Sequence, residues 1–307
     1  MTVVTHRPDP GAQAPGVRPT PARRRRSSGG ALLGIVPFLG YVVVFLAIPT
    51  LVVAVGAVTA DNGGVTLDNL ARLGDAYILA AFGRSILLSA VTALIGAVVG
   101  ALLGYALVTA RPDGLLRRVV TAASGVLAQF GGVTLAFAFI ATIGLSGFVT
   151  EFLRDRVGVD LYASGVWLFE LPGLLLVYSY FQIPLMVIVF LPALDGIRPQ
   201  WREAAASLGG STWQYWRLVG MPLLAPPFLG ATLLLFANAF SAYATAAALV
   251  SQGSPIVPLQ IRGALTSEVV LGQQNLGKAM ALGMIVVVAV VMWLYALVQK
   301  RSAKWLG

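Results

Sequence analysis

The chain has 307 residues, of which 58% are hydrophobic and only 11% charged, with a formal net charge of +9 and a mean hydropathy of +0.84. Soluble domains carry about 25% charged residues, so a water-soluble globular fold is excluded and an integral membrane protein is indicated. Cysteine is absent and His6 is the only histidine, which leaves no material for disulfides, thiolate metal sites, a Cys nucleophile or a His-based catalytic or zinc site.

Residues 1–30 are rich in Pro, Gly and Arg and include the run Arg23–Arg26. They lack the apolar surface to fold and are predicted to be a disordered, basic cytoplasmic tail whose arginines hold the N-terminus inside. The apolar run that follows is too long for a signal h-region of about 7–15 residues. Residues 31–307 are predicted to form an all-α transmembrane domain. A bilayer core about 30 Å thick needs about 20 apolar residues per helix. Six stretches qualify, at about 31–58, 85–110, 119–143, 173–194, 223–250 and 279–299, and none contains Asp, Glu, Lys or Arg.

With both ends inside, the cytoplasmic segments hold Arg7, Arg18, Arg23–Arg26, Arg111, Arg117, Arg118, Arg198, Arg202, Arg217, Lys300, Arg301 and Lys304. These are fifteen of the 21 basic residues, while eight of the 12 acidic ones fall outside. The positive-inside rule therefore selects cytoplasmic termini in a plasma-membrane protein. The basic residues are scattered over loops without an aromatic platform, which argues against nucleic acid as a partner.

In the second stretch, Gly96, Gly100 and Gly104 form a smooth stripe at four-residue spacing, expected to pack a neighbouring helix of the same chain backbone to backbone. Polar residues concentrate in the third to fifth stretches. An unpaired amide in hydrocarbon is costly, so such groups face protein or water. Gln129, Tyr178, Gln182, Asn238, Ser241 and Tyr243 are the candidates for a solute path. Pro184 and Pro192 in the fourth stretch, and Pro222, Pro226 and Pro227 entering the fifth, are expected to break backbone hydrogen bonding and leave irregular backbone lining a cavity or hinge.

Between the fourth and fifth stretches lies a polar, small-residue insertion, EAAASLGGSTWQYWRLVGMP, from Glu203 to Pro222. Pro199 suits a helix start and Gly209 a helix end in the left-handed conformation. Ala204, Ala205 and Ala206 give that helix a low profile. Ser211 and Gln214 form an S-x-x-Q capping box that starts a second short helix. The segment 199–222 is thus predicted to be a rigid helix–elbow–helix knuckle on the cytoplasmic face. The stretch Gly272–Ala279 falls one residue short of a phosphate-binding loop and lacks its Ser or Thr, so it is set aside.

The spacing of Glu203-Ala204-Ala205, Gly209, Val219 and Met221-Pro222 resembles the EAA signature of binding-protein-dependent ABC importer permeases. Met221 stands where Leu is usual and Val219 where Ile is usual. The resemblance covers about residues 80–299 and implies a type I ABC importer architecture of six transmembrane helices. It implies no catalysis and no cofactor in this chain. Glu203, Ala204, Ala205, Ser207, Leu208, Gly209, Ser211 and Pro222 would couple it to a cytoplasmic ATPase pair, which holds the ATP and magnesium. A second permease copy or paralogue and an extracytoplasmic solute-binding protein would complete the assembly. Ser207–Ser211 is closest to the pattern of polyamine, phosphonate, iron and oxyanion importers, and a polyamine-like solute is expected ahead of those or a sugar. An ion-coupled secondary transporter would need an intramembrane carboxylate or histidine, which the six stretches lack.

Overall fold

The computed structural model describes residues 28–60, 62–110, 114–250, 256–266 and 273–303. Most of the expected N-terminal tail, residues 1–27, lies outside the described residues, and Ser28–Gly30 already begin a helix. The chain falls into two compact units, Met1–Pro49 and Thr50–Gly307. In the first, α1 (Ser28–Val42) is followed by a π-helical turn, Val43–Ala47.

Described residues of the second unit are helical apart from turns and one isolated bridge between Thr59 and Val65. After α2 (Ile48–Ala57) and the short α3 (Asp68–Ala71) come α4 (Ala76–Thr109), α5 (Leu115–Gln129), α6 (Gly132–Ile143) and α7 (Phe148–Phe152). Next are α8 (Leu171–Asp195), α9 (Pro199–Ser207), α10 (Thr212–Tyr215), α11 (Met221–Ser241) and α12 (Ala244–Leu249). The chain closes with α13 (Val257–Thr266) and α14 (Gln274–Ala303). Six helical stretches are long and apolar enough to cross a membrane: 35–57, 76–109, 132–157, 171–195, 212–241 and 274–298. Their outer faces carry exposed Leu51, Leu102, Phe137 and Trp293, an arrangement that only a hydrocarbon solvent tolerates at this scale.

The core is organised on α8, with α4 and α11 packed along it. The glycine stripe of α4 faces inward. A Cβ on Gly96 would lie 2.7 Å from that of Gln182, and one on Gly100 would lie 2.5 Å from that of Met186 and 2.7 Å from the Ile183 carbonyl. Backbone meets backbone there, and Ala93, Ala97, Met186, Phe190 and Leu235 fill the surrounding layer. A second apolar cluster joins Leu135, Leu174, Tyr178, Phe181, Ala246 and Leu249.

Two expectations about the spans are corrected. Pro184 and Pro192 lie inside an uninterrupted α8, and Pro226 and Pro227 inside an uninterrupted α11. A proline removes one backbone hydrogen bond, and helices packed alongside keep both halves in line. The breaks fall elsewhere. The stretch expected as one helix over 119–143 stops at Gln129 and restarts at Gly132, with Gly132 left-handed at φ +72. That expected over 223–250 stops at Ser241 and restarts at Ala244.

Candidate functional site

The knuckle has the local geometry its sequence specifies. Pro199 opens α9, where its missing N–H is one of the unpaired donors of any helix start. At the other end, Gly209 takes φ +76, while the N–H of Gly210 donates to the Ala205 carbonyl at 2.9 Å and that of Gly209 to Ala206 at 3.0 Å. This is a Schellman closure, and the left-handed position favours glycine. The Ser211 N–H then donates to Gln214 Oε1 at 2.7 Å, and the Gln214 N–H donates to Ser211 Oγ at 3.2 Å, completing a reciprocal capping box. A π-helical turn, Trp216–Gly220, leads directly into α11, with Pro222 in its first turn.

Glu203, Ala204, Ser207, Gly209 and Ser211 are exposed and Ala205 half-buried. Glu203 makes no ion pair among the described residues. Around them stand Leu208 at 89% exposure, Leu218 at 71% and Trp213 at 64%. The knuckle therefore presents one carboxylate, a shallow alanine face and an apolar rim. Trp213 and Leu218 belong to that rim and were missed from sequence; two bulky apolar residues within a polar, small-residue insertion were the available signal. Behind the knuckle, Arg117 Nη2 donates to both oxygens of Asp195, at 2.6 and 2.8 Å, joining α5 to the end of α8.

The six candidate path residues divide into two groups. Tyr178 and Gln182 are fully buried inside the subunit. The Tyr178 hydroxyl donates to the Ala242 carbonyl at 2.5 Å, satisfying the backbone where α11 ends. Gln182 Nε2 donates to the Leu235 carbonyl at 2.7 Å, and its Oε1 accepts from Asn238 Nδ2 at a long 3.4 Å. In contrast, Gln129, Asn238, Ser241 and Tyr243 are exposed and sit at the two helix breaks. The breaks are tied together, because the Gly132 N–H donates to Thr245 Oγ1 at 2.9 Å. Neither Gln129–Gly132 nor Asn238–Thr245 contains an acidic residue. The junction offers amides, hydroxyls and half-helix ends, and it has no base to activate a nucleophile. Among the described residues, no cluster of His, Asp or Glu could hold a metal ion.

An all-helical fold with six long apolar stretches and an exposed helix–elbow–helix after the fourth is that of a polytopic membrane protein. The sequence profile of the family described as binding-protein-dependent transport system inner membrane component matches residues 96–304, and the chain belongs to that family of ABC importer permeases. The molybdenum transport system permease protein ModB of Escherichia coli K12 is 27% identical over 119 residues, 39% of this chain and 49% of that one. The sulfate transport system permease protein CysT of the same strain is 26% identical over 168 residues, 54% of this chain and 57% of that one. The chain thus spans about half the length of these curated relatives. A bacterial alginate ABC transporter, solved in complex with an alginate pentasaccharide-bound periplasmic protein, superposes with a TM-score of 0.72 at 16% identity. That match covers 89% of this chain and 95% of the other, and it is a likeness of fold.

Proposed function

We propose that this chain is the membrane-spanning subunit of an ATP-driven importer for a small solute, with both termini cytoplasmic. It pairs with a second permease, receives solute from an extracytoplasmic binding protein, and is driven by a separate ATPase pair that holds ATP and magnesium. The observation that carries this reading is the exposed knuckle, α9–Gly209–α10, closed by backbone hydrogen bonds on one side and a capping box on the other. Such an element moves as a unit. When the ATPases close, the knuckles of two permeases approach and the membrane helices open outward. In this reading Glu203 meets a basic group of the ATPase, since a carboxylate can accept a bidentate arginine, while the rim of Leu208, Trp213 and Leu218 fills its cleft.

The solute path runs over the exposed break residues, Gln129, Asn238, Ser241 and Tyr243. Gln182 and Tyr178 act from within the subunit by holding Asn238 and the end of α11 in place. The solute we assign is a small oxyanion: the junction has hydrogen-bond donors and half-helix ends without a carboxylate, and relatives named for molybdenum and sulfate agree. A polyamine is the second reading. The Ser207–Ser211 pattern supports it, and the ring of Tyr243 would offer cation–π attraction. Two measurements test these readings. A cysteine placed at Ser211 should be labelled only from the cytoplasm, and labelling from outside would overturn the orientation. Uptake of labelled molybdate or sulfate into cells expressing the whole system should be inhibited by the other oxyanion and not by spermidine. The reverse pattern would select the polyamine.

A further inference from the structure

A cavity of about 400 Å³ lies behind the knuckle, lined by Tyr105 and Thr109 of α4, by Arg198 and Arg202, and by Thr212 and Trp216. Its apolar wall is set by Trp216, whose ring meets that of Tyr105 edge-on at 5.5 Å. Its polar groups are unbalanced. The Thr109 hydroxyl donates to the Tyr105 and Ala106 carbonyls, at 3.2 and 2.9 Å. The side chains of Arg198, Arg202 and Thr212 and the Tyr105 hydroxyl have no acceptor among the described residues, and none of the described lining residues is acidic. The neighbouring Arg117 is neutralised by Asp195, and no acid does the same for the two cavity arginines among the described residues.

Those arginines stand one helical turn apart, Arg198 at the N-cap of α9 and Arg202 four residues on. Like charges at that spacing repel, and the positive end of the helix dipole opposes cations at its N-terminus. Arg198, Arg202 and Thr212 are exposed, so the helix start concentrates positive charge and donors at the open rim of the cavity. A tetrahedral oxyanion would relieve that repulsion by accepting from both guanidinium groups at once.

We propose that this cavity binds a phosphate-class oxyanion, free or carried by an anionic lipid headgroup, and that the bound anion clamps α9 and α10 to the end of α4. The clamp would set how stiffly the knuckle transmits force, and that part rests on the coupling role proposed above. The test uses the full-length chain and reads thermal unfolding, which needs no ATPase. Inorganic phosphate is titrated at constant ionic strength against chloride, in lipid-free detergent and in nanodiscs of phosphatidylcholine with or without phosphatidylglycerol.

A ligand that binds only the folded state raises Tm in a saturable way. The wild type should show this with phosphate in both media if the anion is free, or with phosphatidylglycerol alone if a lipid supplies it. Arg198→Gln/Arg202→Gln should weaken the apparent Kd by about tenfold or more, and Tyr105→Phe less. No saturable response to either probe, or a double variant that responds like the wild type, would overturn the site. If the double variant is too unstable to purify, Tyr105→Phe and Thr212→Val carry the same comparison. Unchanged uptake in a variant that has lost the response would overturn the clamp. Gly209→Val reports separately on the coupling role.

Discussion

Small residues occur as runs in two regions of this molecule and serve opposite ends. On α4, Gly96 and Gly100 are buried against α8, where an added methyl would meet Cβ atoms and a backbone carbonyl of the same chain. On α9, Ala204 and Ala206 are exposed, and the glycine that follows, Gly209, has open space around it. The first set brings two helices of one subunit together. The second leaves room for something outside the subunit. Small size alone does not say which; what decides is whether another part of the chain already occupies the space.

That contrast is sharpest at Gly100. Gly100→Ala forces Met186 or the α8 backbone to move, and overpacking of this kind costs about 1–3 kcal/mol. The equivalent change on the exposed face, Ala206→Leu, should stay within about 0.5 kcal/mol. Thermal unfolding of both in detergent checks this, and equal losses would erase the distinction between the two faces.

Gly209→Val comes next. A β-branched residue at φ +76 is strained by about 1–3 kcal/mol, but an exposed knuckle can release strain by local unfolding. The chain should reach the membrane in normal amount, with little change in Tm, while uptake and solute-stimulated ATPase activity are lost. Normal uptake would remove Gly209 from the coupling machinery.

Gln182 and Asn238 separate glue from path. Gln182→Leu removes a buried interhelical hydrogen bond and should lower stability by about 0.6–1.7 kcal/mol. Asn238→Leu, at the exposed end of the same contact, should alter uptake or selectivity with a smaller stability change. Uptake and Tm measured on both variants decide the assignment, and an Asn238 variant that loses only Tm belongs with the glue. At the knuckle itself, Ser211→Ala removes a cap worth about 1 kcal/mol of local stability. Hydrogen exchange at Thr212–Tyr215 should accelerate while global Tm holds.

The number of spans, the knuckle's placement and its internal hydrogen bonds were all legible in the chain. Each rests on interactions within a few residues: hydropathy over one helix length, a proline at a helix start, a left-handed glycine, a serine three residues before a glutamine. The helix breaks were misplaced for a related reason. Prolines signal a lost hydrogen bond, yet α8 is continuous through two of them, packed against α4 and α11. The Gly131-Gly132 pair is the better local signal of a break, set inside an apolar run. The path candidates show the same limit. Sequence grouped Gln182 and Asn238 as polar residues of the fourth and fifth stretches, and the two side chains meet at 3.4 Å. That one is buried and the other exposed depends on atoms far along the chain. The Gln182 bond closes over 53 residues, and the bond joining the two breaks closes over 113. Local chemistry determined which elements this protein has. Tertiary packing decided which way their polar groups face, because an amide's partner in a membrane is supplied by whichever distant helix arrives beside it.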